Sequence, residues 1–310
     1  MAANEIAAAP STDSSKERWL AFFAIVLGAF VAILNNSLIN VAIPRLTTDL
    51  GSTTTRIQWV ITGYTLASGV IVPITGYMEQ RLGYKKFLIL ALSVFSLGTG
   101  ICIFAWSDSS LIAARVLAGL GGGVIMPLSM TIIYKIMPRE QIGMSLGIWG
   151  IAAMAAPAVG PTLSGYLIEW FNWRFLFIVS VPVALFAILM VILLIKEPPK
   201  VEPKPFDLPG FLLAATCAGT LLYALTNGQR DGWTSFGIVS LLFVAFWALV
   251  FLIYVESGKD NAVIEISLFK NSKYTISVIA SSLVMMGMYG GTFLTPLFLQ
   301  NIQRVSPIDT

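Results

Sequence analysis

The chain of 310 residues contains no histidine, only two cysteines and few charged residues. The absence of histidine excludes His-based catalytic triads, His proton relays and nearly all zinc chemistry. Cys102 and Cys217 lie in apolar runs and form no CxxC motif, so they indicate neither a redox nor a metal site. Charged residues make up 11% of the chain, against about 25% in an ordinary soluble domain. This shortage argues against a soluble globular protein.

The sequence also lacks the motifs of nucleotide-driven machinery. No GxxxxGK[ST] motif occurs, so there is no P-loop for ATP. The glycine run at residues 119–124 (GLGGGV) does not have GxGxxG spacing and lies in an apolar segment, so a dinucleotide-binding loop is rejected. The formal net charge of +3 is too weak to indicate a nucleic-acid partner. We expect no cofactor and no metal, and any transport would be driven by a gradient or by a separate ATPase.

Hydrophobic residues are abundant and are concentrated in long runs. A bilayer core needs about 20 predominantly apolar residues per helical span, and nine segments of 20–27 residues qualify. The runs do not alternate as barrel strands would, so the sequence predicts an all-α membrane protein. Arg115 is the one charged residue inside these segments. We number them as spans 1–9: 19–43, 57–78, 87–106, 109–134, 142–168, 175–195, 208–227, 234–255 and 274–299.

The lysines and arginines between the spans predict an orientation. With the N-terminus inside, the inner segments hold 13 of these residues and the outer segments hold 5. Basic residues accumulate on the cytoplasmic side. We therefore expect a multi-pass protein of the cell (plasma) membrane with a cytoplasmic N-terminus, and nine spans then put the C-terminus outside.

An internal repeat links spans 1–3 to spans 4–6. Gly76-Tyr77 at the end of span 2 recurs as Gly165-Tyr166 at the end of span 5, and Tyr84-Lys85 recurs as Trp173-Arg174, both at an offset of 89 residues. Three spans lie in that interval, so the second copy must be inverted across the membrane. The spans up to residue 195 therefore form one unit of two inverted three-helix repeats.

The rest of the chain divides by composition. The Pro-, Lys- and Glu-rich segment after span 6 is typical of an extended linker. The segment 256–273 mixes apolar and charged residues, and an interfacial amphipathic element and an ordinary loop are equally good interpretations. We expect a cytoplasmic tail (1–18), a six-helix unit (19–195), a cytoplasmic linker (196–207), a helix pair (208–255) and a last part with the interfacial segment and span 9 (256–310).

Polar residues inside spans 1 and 4 are candidates for function. Asn36 and Asn40 share one helical face by their i, i+4 spacing, next to Asn35. Arg115 lies at a depth similar to that of Asn35, so a hydrogen bond from Arg115 to Asn35 or Asn36 is expected. The structural alternatives are helix–helix hydrogen bonding for the amides and snorkelling to the outer interface for Arg115.

Glycine and proline in spans 4 and 5 predict close and bent helices. Gly119, Gly121, Gly122 and Gly123 precede Pro127, and small residues let neighbouring helices approach. Pro157 and Pro161 lie four residues apart in span 5 and remove backbone donors, which bends a helix. No acidic residue lies inside a span, although proton-coupled carriers usually hold a carboxylate there.

With these motifs, the chain resembles the major facilitator superfamily, in particular its fourteen-span drug:proton antiporter branch (multidrug efflux type). Leu34–Pro44 is similar to the helix 1 signature of that branch, Gly76–Lys86 to the loop 2–3 motif, Arg115 with Gly119 to the helix 4 motif, and Gly160–Gly165 to the helix 5 antiporter motif. Pro296–Gln300 echoes the end of helix 9.

The sequence departs from these motifs at four positions. Asn35 and Gln80 replace aspartates, Ala118 replaces a glutamine and Ser164 replaces a glycine. The loss of the two aspartates argues against proton coupling by the usual residues.

The resemblance implies a two-lobed carrier with alternating access. Spans 1–6 would be its N-lobe, spans 7 and 8 an inserted pair of linker helices, and span 9 the first helix of a truncated C-lobe, with about five spans missing. Substrates would be amphipathic, often cationic or aromatic compounds, with protons as a further partner. The implied functional residues are Asn35, Asn36, Asn40 and Arg115 for coupling and cavity lining, Gly76, Arg81, Gly83, Lys85 and Lys86 for a cytoplasmic gate, and Pro157, Gly160, Pro161 and Gly165 for the helix 5 bend. Tyr64 and Trp149 are weaker candidates for substrate contact because of their aromatic character.

The same sequence is compatible with two other functions. The protein could be a metabolite facilitator of the same fold, or a non-transporting membrane scaffold or remnant. An intramembrane enzyme is disfavoured because the spans contain no histidine, no acid and no nucleophile–base pair. We therefore expect that the protein is not an enzyme.

Overall fold

In the computed structural model, the residues described are 15–196, 205–259 and 261–301, with side chains described up to residue 287 and at residue 290. This description leaves out most of the predicted tail and linker, residues 302–310 and the side chains of Pro296–Gln300. The helices are α1 (Ser15–Asp49), α2 (Thr54–Leu82), α3 (Tyr84–Ile103), α4 (Asp108–Ile136), α5 (Ile142–Trp170), α6 (Phe175–Leu194), α7 (Leu208–Asp231), α8 (Phe236–Glu256) and α9 (Ser272–Asn301).

Each predicted span is a helix, and eight helices of the described part are long and apolar enough to cross a membrane. Span 2 differs in detail, because α2 contains a 3₁₀ turn at Val72–Ile74. Pro73 in this turn has no backbone N–H, which weakens continuous α-helical bonding. The segment after α8 forms only a short 3₁₀ turn, Ile266–Lys270. Between α8 and α9 the described residues contain no α-helix, and an interfacial position of this segment stays a prediction.

The contacts among α1–α6 have the pattern that two related triplets require. α1 packs on α5 and α6, while α4 packs on α2 and α3. If α1 corresponds to α4, α2 to α5 and α3 to α6, each of these contacts has its counterpart. Two further contacts, α1 with α4 and α3 with α6, join corresponding helices. The helices thus enclose two buried apolar clusters in a bundle that follows the predicted repeat.

Two hydrogen bonds show the same relation at the ends of α3 and α6. The Lys85 Nζ atom, at the start of α3, donates to the Ile192 carbonyl near the end of α6, at 2.8 Å. The Arg174 Nε atom, just before α6, donates to the Ile103 carbonyl at the end of α3, at 3.1 Å. Both donors and both acceptors are separated by 89 residues. Each bond uses a carbonyl that a helix end leaves without an intrahelical partner.

The pair α7–α8 packs against α2. α7 contacts both α8 and α2, and the rings of Trp59 and Tyr223 lie 5.7 Å apart at this contact. Near the predicted cytoplasmic end, the Tyr77 and Phe206 rings lie 4.6 Å apart. The described side chains at the start of α9, from residue 272 to 287, are mostly exposed.

Asp207 joins the two helices of this pair. Its Oδ1 atom accepts a hydrogen bond from the Gly210 N–H at the start of α7, and both carboxylate oxygens lie 2.9 Å from Lys259 Nζ after α8. Burial raises the pKa of Asp207, but the Lys259 ammonium and the Gly210 N–H outweigh it and hold this pKa below its usual range. The folded protein therefore favours the ionised carboxylate.

We expect acid to weaken the contribution of Asp207 to this junction, whereas protonation of Glu256, whose pKa is raised by burial and by the neighbouring Asp207, acts in the opposite direction. Because the pKa of Asp207 is lower in the folded than in the unfolded chain, its stabilisation is present above the unfolded pKa and is lost as the pH falls through the folded value. Asp207→Asn should lower the thermal unfolding midpoint in detergent by roughly 2 °C at pH 7 and by less near pH 3. Asp49→Asn, the same change at an exposed position, is the control. An equal loss for Asp207→Asn at both pH values would contradict this assignment.

Candidate functional site

A buried polar cluster lies where α1, α2, α4 and α6 meet. The Arg115 side chain of α4 is 0% exposed and donates three hydrogen bonds. Nη1 donates to Asn35 Oδ1 at 2.6 Å, Nη2 to Asn36 Oδ1 at 3.1 Å, and Nε to the Val60 carbonyl at 3.2 Å. The guanidinium carbon lies 4.1 Å from the centroid of the Tyr64 ring. The hydrogen bond expected from Arg115 to Asn35 or Asn36 is therefore present, and both amides accept one.

Asn35 extends this cluster to α6. It is 0% exposed, and its Nδ2 atom donates to Ser180 Oγ at 3.1 Å. Ser180 Oγ in turn donates to the Leu176 carbonyl one turn earlier, at 2.9 Å. Asn35 thus uses its amide both as acceptor and as donor, and an aspartate in its place would have no N–H for Ser180.

The environment of Arg115 offsets the large cost of burying its charge. A buried charge requires hydrogen-bond partners, and the three carbonyl oxygens supply them. The face of the Tyr64 ring adds a cation–π contact. Arg115 does not snorkel to the outer interface, since its side chain is fully enclosed by the bundle. The same bonds join α1 to α4. The two amides therefore also form the helix–helix hydrogen bonds that were the structural alternative to a functional role.

The glycines of α4 bring two neighbouring helices close to this cluster. A Cβ atom at Gly119 would lie 3.1 Å from Tyr64 Cα, and one at Gly123 would lie 2.8 Å from the carbonyl carbon of Ser68, both in α2. A Cβ atom at Gly121 would lie 3.0 Å from Phe95 Cα in α3. The glycine run therefore places the backbones of α2 and α3 against opposite sides of α4, as the small residues of this span predict.

The glycine–proline segment of α5 packs tightly on α1. The Ser37 hydroxyl donates to the Pro157 carbonyl at 3.3 Å, and a side chain at Gly160 would collide with Ser37. Ser164, at the position that departs from the helix 5 motif, donates to the Leu38 carbonyl at 2.7 Å. Pro157 and Pro161 both lie inside the continuous helix α5, and nothing lies within 4 Å of a Cβ atom at Gly165.

The residues of the loop 2–3 motif gather at one end of α2 and α3. Gly83 has a φ of 78°, a left-handed value that favours glycine, and it separates the two helices. Lys85 caps α6 as described above, and Arg81 Nη1 donates to Tyr77 Oη at 3.0 Å. Gly76 and Lys86 lie on the exposed side of this turn region.

Two contacts at the site were not predicted from the sequence. Glu79, one residue before the substituted Gln80, forms an ion pair with Lys135 near the end of α4. Ser180 completes the Arg115–Asn35 chain of hydrogen bonds. The presence of Glu79 next to a missing aspartate was a usable signal for the first contact, whereas a lone serine in an apolar run gave none for the second.

The remaining candidates have different surroundings. Asn40 is exposed one turn after the half-buried Asn36. Tyr64 is buried against Arg115, and the Trp149 Nε1 atom donates to Ser129 Oγ at 3.0 Å inside the bundle. Both aromatic rings are thus engaged within the lobe, and their contact with a substrate stays a prediction.

The fold and this cluster together define a multi-pass membrane protein of the transporter type. The chain belongs to the Major Facilitator Superfamily, because the sequence profile of that family matches residues 25–310. Among its relatives is the multidrug export protein EmrB of Escherichia coli (strain K12), 31% identical over 90% of this chain and 55% of EmrB. Another is the probable multidrug resistance protein EmrY of the same strain, 30% identical over 99% of this chain and 60% of EmrY.

A further relative and a solved structure agree with this assignment. The MFS-type transporter YhcA of Bacillus subtilis (strain 168) is 36% identical over 90% of this chain and 52% of YhcA. The structure of the proton:xylose symporter XylE has a TM-score of 0.53 and 14% identity, and the match covers 79% of this chain and 55% of XylE. This similarity shows the fold alone. The chain spans about half to three-fifths of the length of these relatives, which are transporters rather than enzymes.

Proposed function

We propose that this chain is the N-lobe and inserted helix pair of a secondary-active transporter that exports amphipathic compounds by alternating access. The N-lobe would be residues 19–195, the linker 196–207 and the inserted pair 208–255, followed by the start of a C-lobe at 256–310. The observation that carries this proposal is the Arg115–Asn35–Asn36 cluster, because a buried charge inside a membrane bundle is a functional feature by default. The multidrug relatives support export and amphipathic substrates.

The remaining parts of the site have roles consistent with such a cycle. The residues around Gly83 would form a gate on the cytoplasmic side, where Arg81, Lys85 and Lys86 lie. Close contact of small residues between α1 and α5 would let these helices slide. The excess of basic residues on the same side supports a cytoplasmic N-terminus in the cell membrane.

Transport measurements in liposomes test this function. The protein would be reconstituted together with any part of the reading frame that continues beyond Thr310, and a panel of amphipathic dyes and of polar metabolites would be offered under an imposed pH gradient. Movement of the dyes is expected. Movement of metabolites alone would favour a facilitator of the same fold, and no movement of any compound by a correctly inserted protein would favour a scaffold.

The Asn35→Asp variant examines coupling in the same assay. Because Asn35 stands where the resembling branch has an aspartate, a carboxyl there should introduce a titratable group beside Arg115. We expect the pH dependence of transport to change, while Asn40→Asp, one turn or more away from the Arg115 contact, should change it less. Identical pH profiles for the wild-type protein and Asn35→Asp would contradict a coupling role for this position.

A further inference from the structure

The charge of Arg115 has no acidic counterpart among its described contacts. Its three acceptors are the neutral carbonyl oxygens of Asn35, Asn36 and Val60, and the fourth contact is the Tyr64 ring. In α1–α8 as described, the carboxylates lie at the helix ends, away from this cluster. A charge that is solvated only by dipoles in a poorly polarisable interior produces a positive potential around it. The centre of this lobe is therefore electropositive.

Asn36 connects this buried charge to the surface of the lobe. Its carbonyl oxygen is bound to Arg115 Nη2, so the N–H₂ group is at the other end of the amide. Unlike Asn35, which is fully buried, Asn36 is half-buried. It shares one side of α1 with Ile33 and Asn40, which are also at least partly exposed, and Phe30 lies at the edge of this side; we call these four residues the open face of α1.

The open face has the composition of a binding surface for an amphipathic molecule. The apolar side chains of Phe30 and Ile33 are followed by the amides of Asn36 and Asn40 along one side of the helix. A hydrogen bond from Arg115 to the Asn36 carbonyl polarises the amide and strengthens its N–H groups as donors. An acceptor placed at these donors would meet both the hydrogen bonds and the positive potential of Arg115.

We propose that the open face of α1 binds the anionic group of an amphipathic anion, such as an aryl carboxylate or sulfonate, with Asn36 as donor and Arg115 as the source of charge. This proposal rests on the proposed function and specifies its substrate class. The proposed substrates are anions, whereas the family resemblance implies compounds that are often cationic. Ile33, one turn before Asn36, and Phe30, nearly two turns before it, contact the apolar part of the ligand.

Matched probes test this selectivity. Binding of 2-naphthoate, 2-naphthylmethylammonium and neutral 2-naphthylmethanol to the purified chain in an uncharged detergent would be measured by equilibrium dialysis at pH 7. The three probes share one ring system and differ in charge. We expect naphthoate to bind about tenfold more tightly than the ammonium probe, since one unit charge at close range in a partly buried site contributes at least this factor.

Two variants test which residues cause the preference for naphthoate over the ammonium probe. Asn35→Asp places a carboxylate beside Arg115 and neutralises the charge, so naphthoate should bind about tenfold more weakly and the preference over the ammonium probe should disappear. Asn36→Leu keeps the charge but removes the donor, so naphthoate should bind several-fold more weakly while naphthylmethanol changes less. Asn271→Leu, the same change at an exposed position before α9 and outside the open face, is the control and should change naphthoate affinity less than twofold. Thermal unfolding of each variant verifies that it is folded.

The outcomes separate this inference from the proposed function. If the wild-type chain binds the ammonium probe as tightly as naphthoate, or if both variants leave naphthoate affinity unchanged, anion selection is wrong while an amphipathic binding surface remains. If none of the three probes binds, the binding surface and with it the proposed export of amphipathic compounds are contradicted together.

Discussion

Arg115→Ala is expected to abolish transport while leaving membrane insertion intact. The substitution removes the charge of the buried cluster and leaves the Asn35, Asn36 and Val60 oxygens without their donor. Unsatisfied buried acceptors cost about 1–3 kcal/mol each, although relief of the buried charge offsets part of this loss. The helices themselves remain apolar enough to insert, so the loss should appear in activity and, by about 2–4 kcal/mol, in stability.

Arg115→Lys tests whether the charge alone is sufficient. Lysine keeps the charge, but its single ammonium cannot reproduce the planar fork that reaches three acceptors on two helices. We expect intermediate transport in liposomes, at equal amounts of inserted protein. Normal transport by Arg115→Ala would contradict a role for this residue in function and leave it a structural element only.

Gly98→Ala should strongly destabilise the helix bundle. A Cβ atom at Gly98 in α3 would lie 2.7 Å from Ala118 Cα and 2.9 Å from the Ala114 carbonyl oxygen of α4. These are backbone atoms, which cannot rotate away as a side chain can. The two helices would have to separate, and we expect a loss of about 3–5 kcal/mol, seen as a low yield of folded protein and a lower thermal unfolding midpoint in detergent.

Gly100 supplies a matched control in the same helix. Nothing lies within 4 Å of a Cβ atom at Gly100, so Gly100→Ala should be neutral or stabilising by about 0.5–1 kcal/mol, because alanine favours helix more than glycine does. Equal unfolding midpoints for Gly98→Ala and Gly100→Ala would show that α3 and α4 are not held as closely as the structure indicates.

The positions of the helices were predictable because the bilayer leaves little choice. Backbone groups in lipid must be bonded within the span, so a long apolar run without charges indicates a helix and the charges mark its ends. The partnership of Arg115 with Asn35 and Asn36 was also predictable, since depth along two neighbouring helices follows from counting residues at 1.5 Å each. The repeat followed from residues at the helix ends, where the two triplets carry the same pairs.

Other features depend on rotation and tilt, which sequence alone does not specify. The packing of α2 and α4 around Gly119, Gly122 and Gly123 decides two such features. One is the ion pair of Glu79 with Lys135, and the other is the contact of the Tyr64 ring with Arg115 instead of with a substrate. The interruption of α2 at Pro73 was likewise missed, because the hydropathy of this segment continues unbroken through the 3₁₀ turn.

The paired bonds of Lys85 and Arg174 have a mechanical consequence. Each fastens α3 to α6, one at either end of the two antiparallel helices, so these helices cannot splay apart at one side of the membrane without breaking a bond. Together the two bonds hold α3 and α6 as one rigid unit. In the proposed transport cycle, motion would then occur at the contact of α1 with α5, where serine and glycine face each other, or between whole lobes that move as rigid bodies.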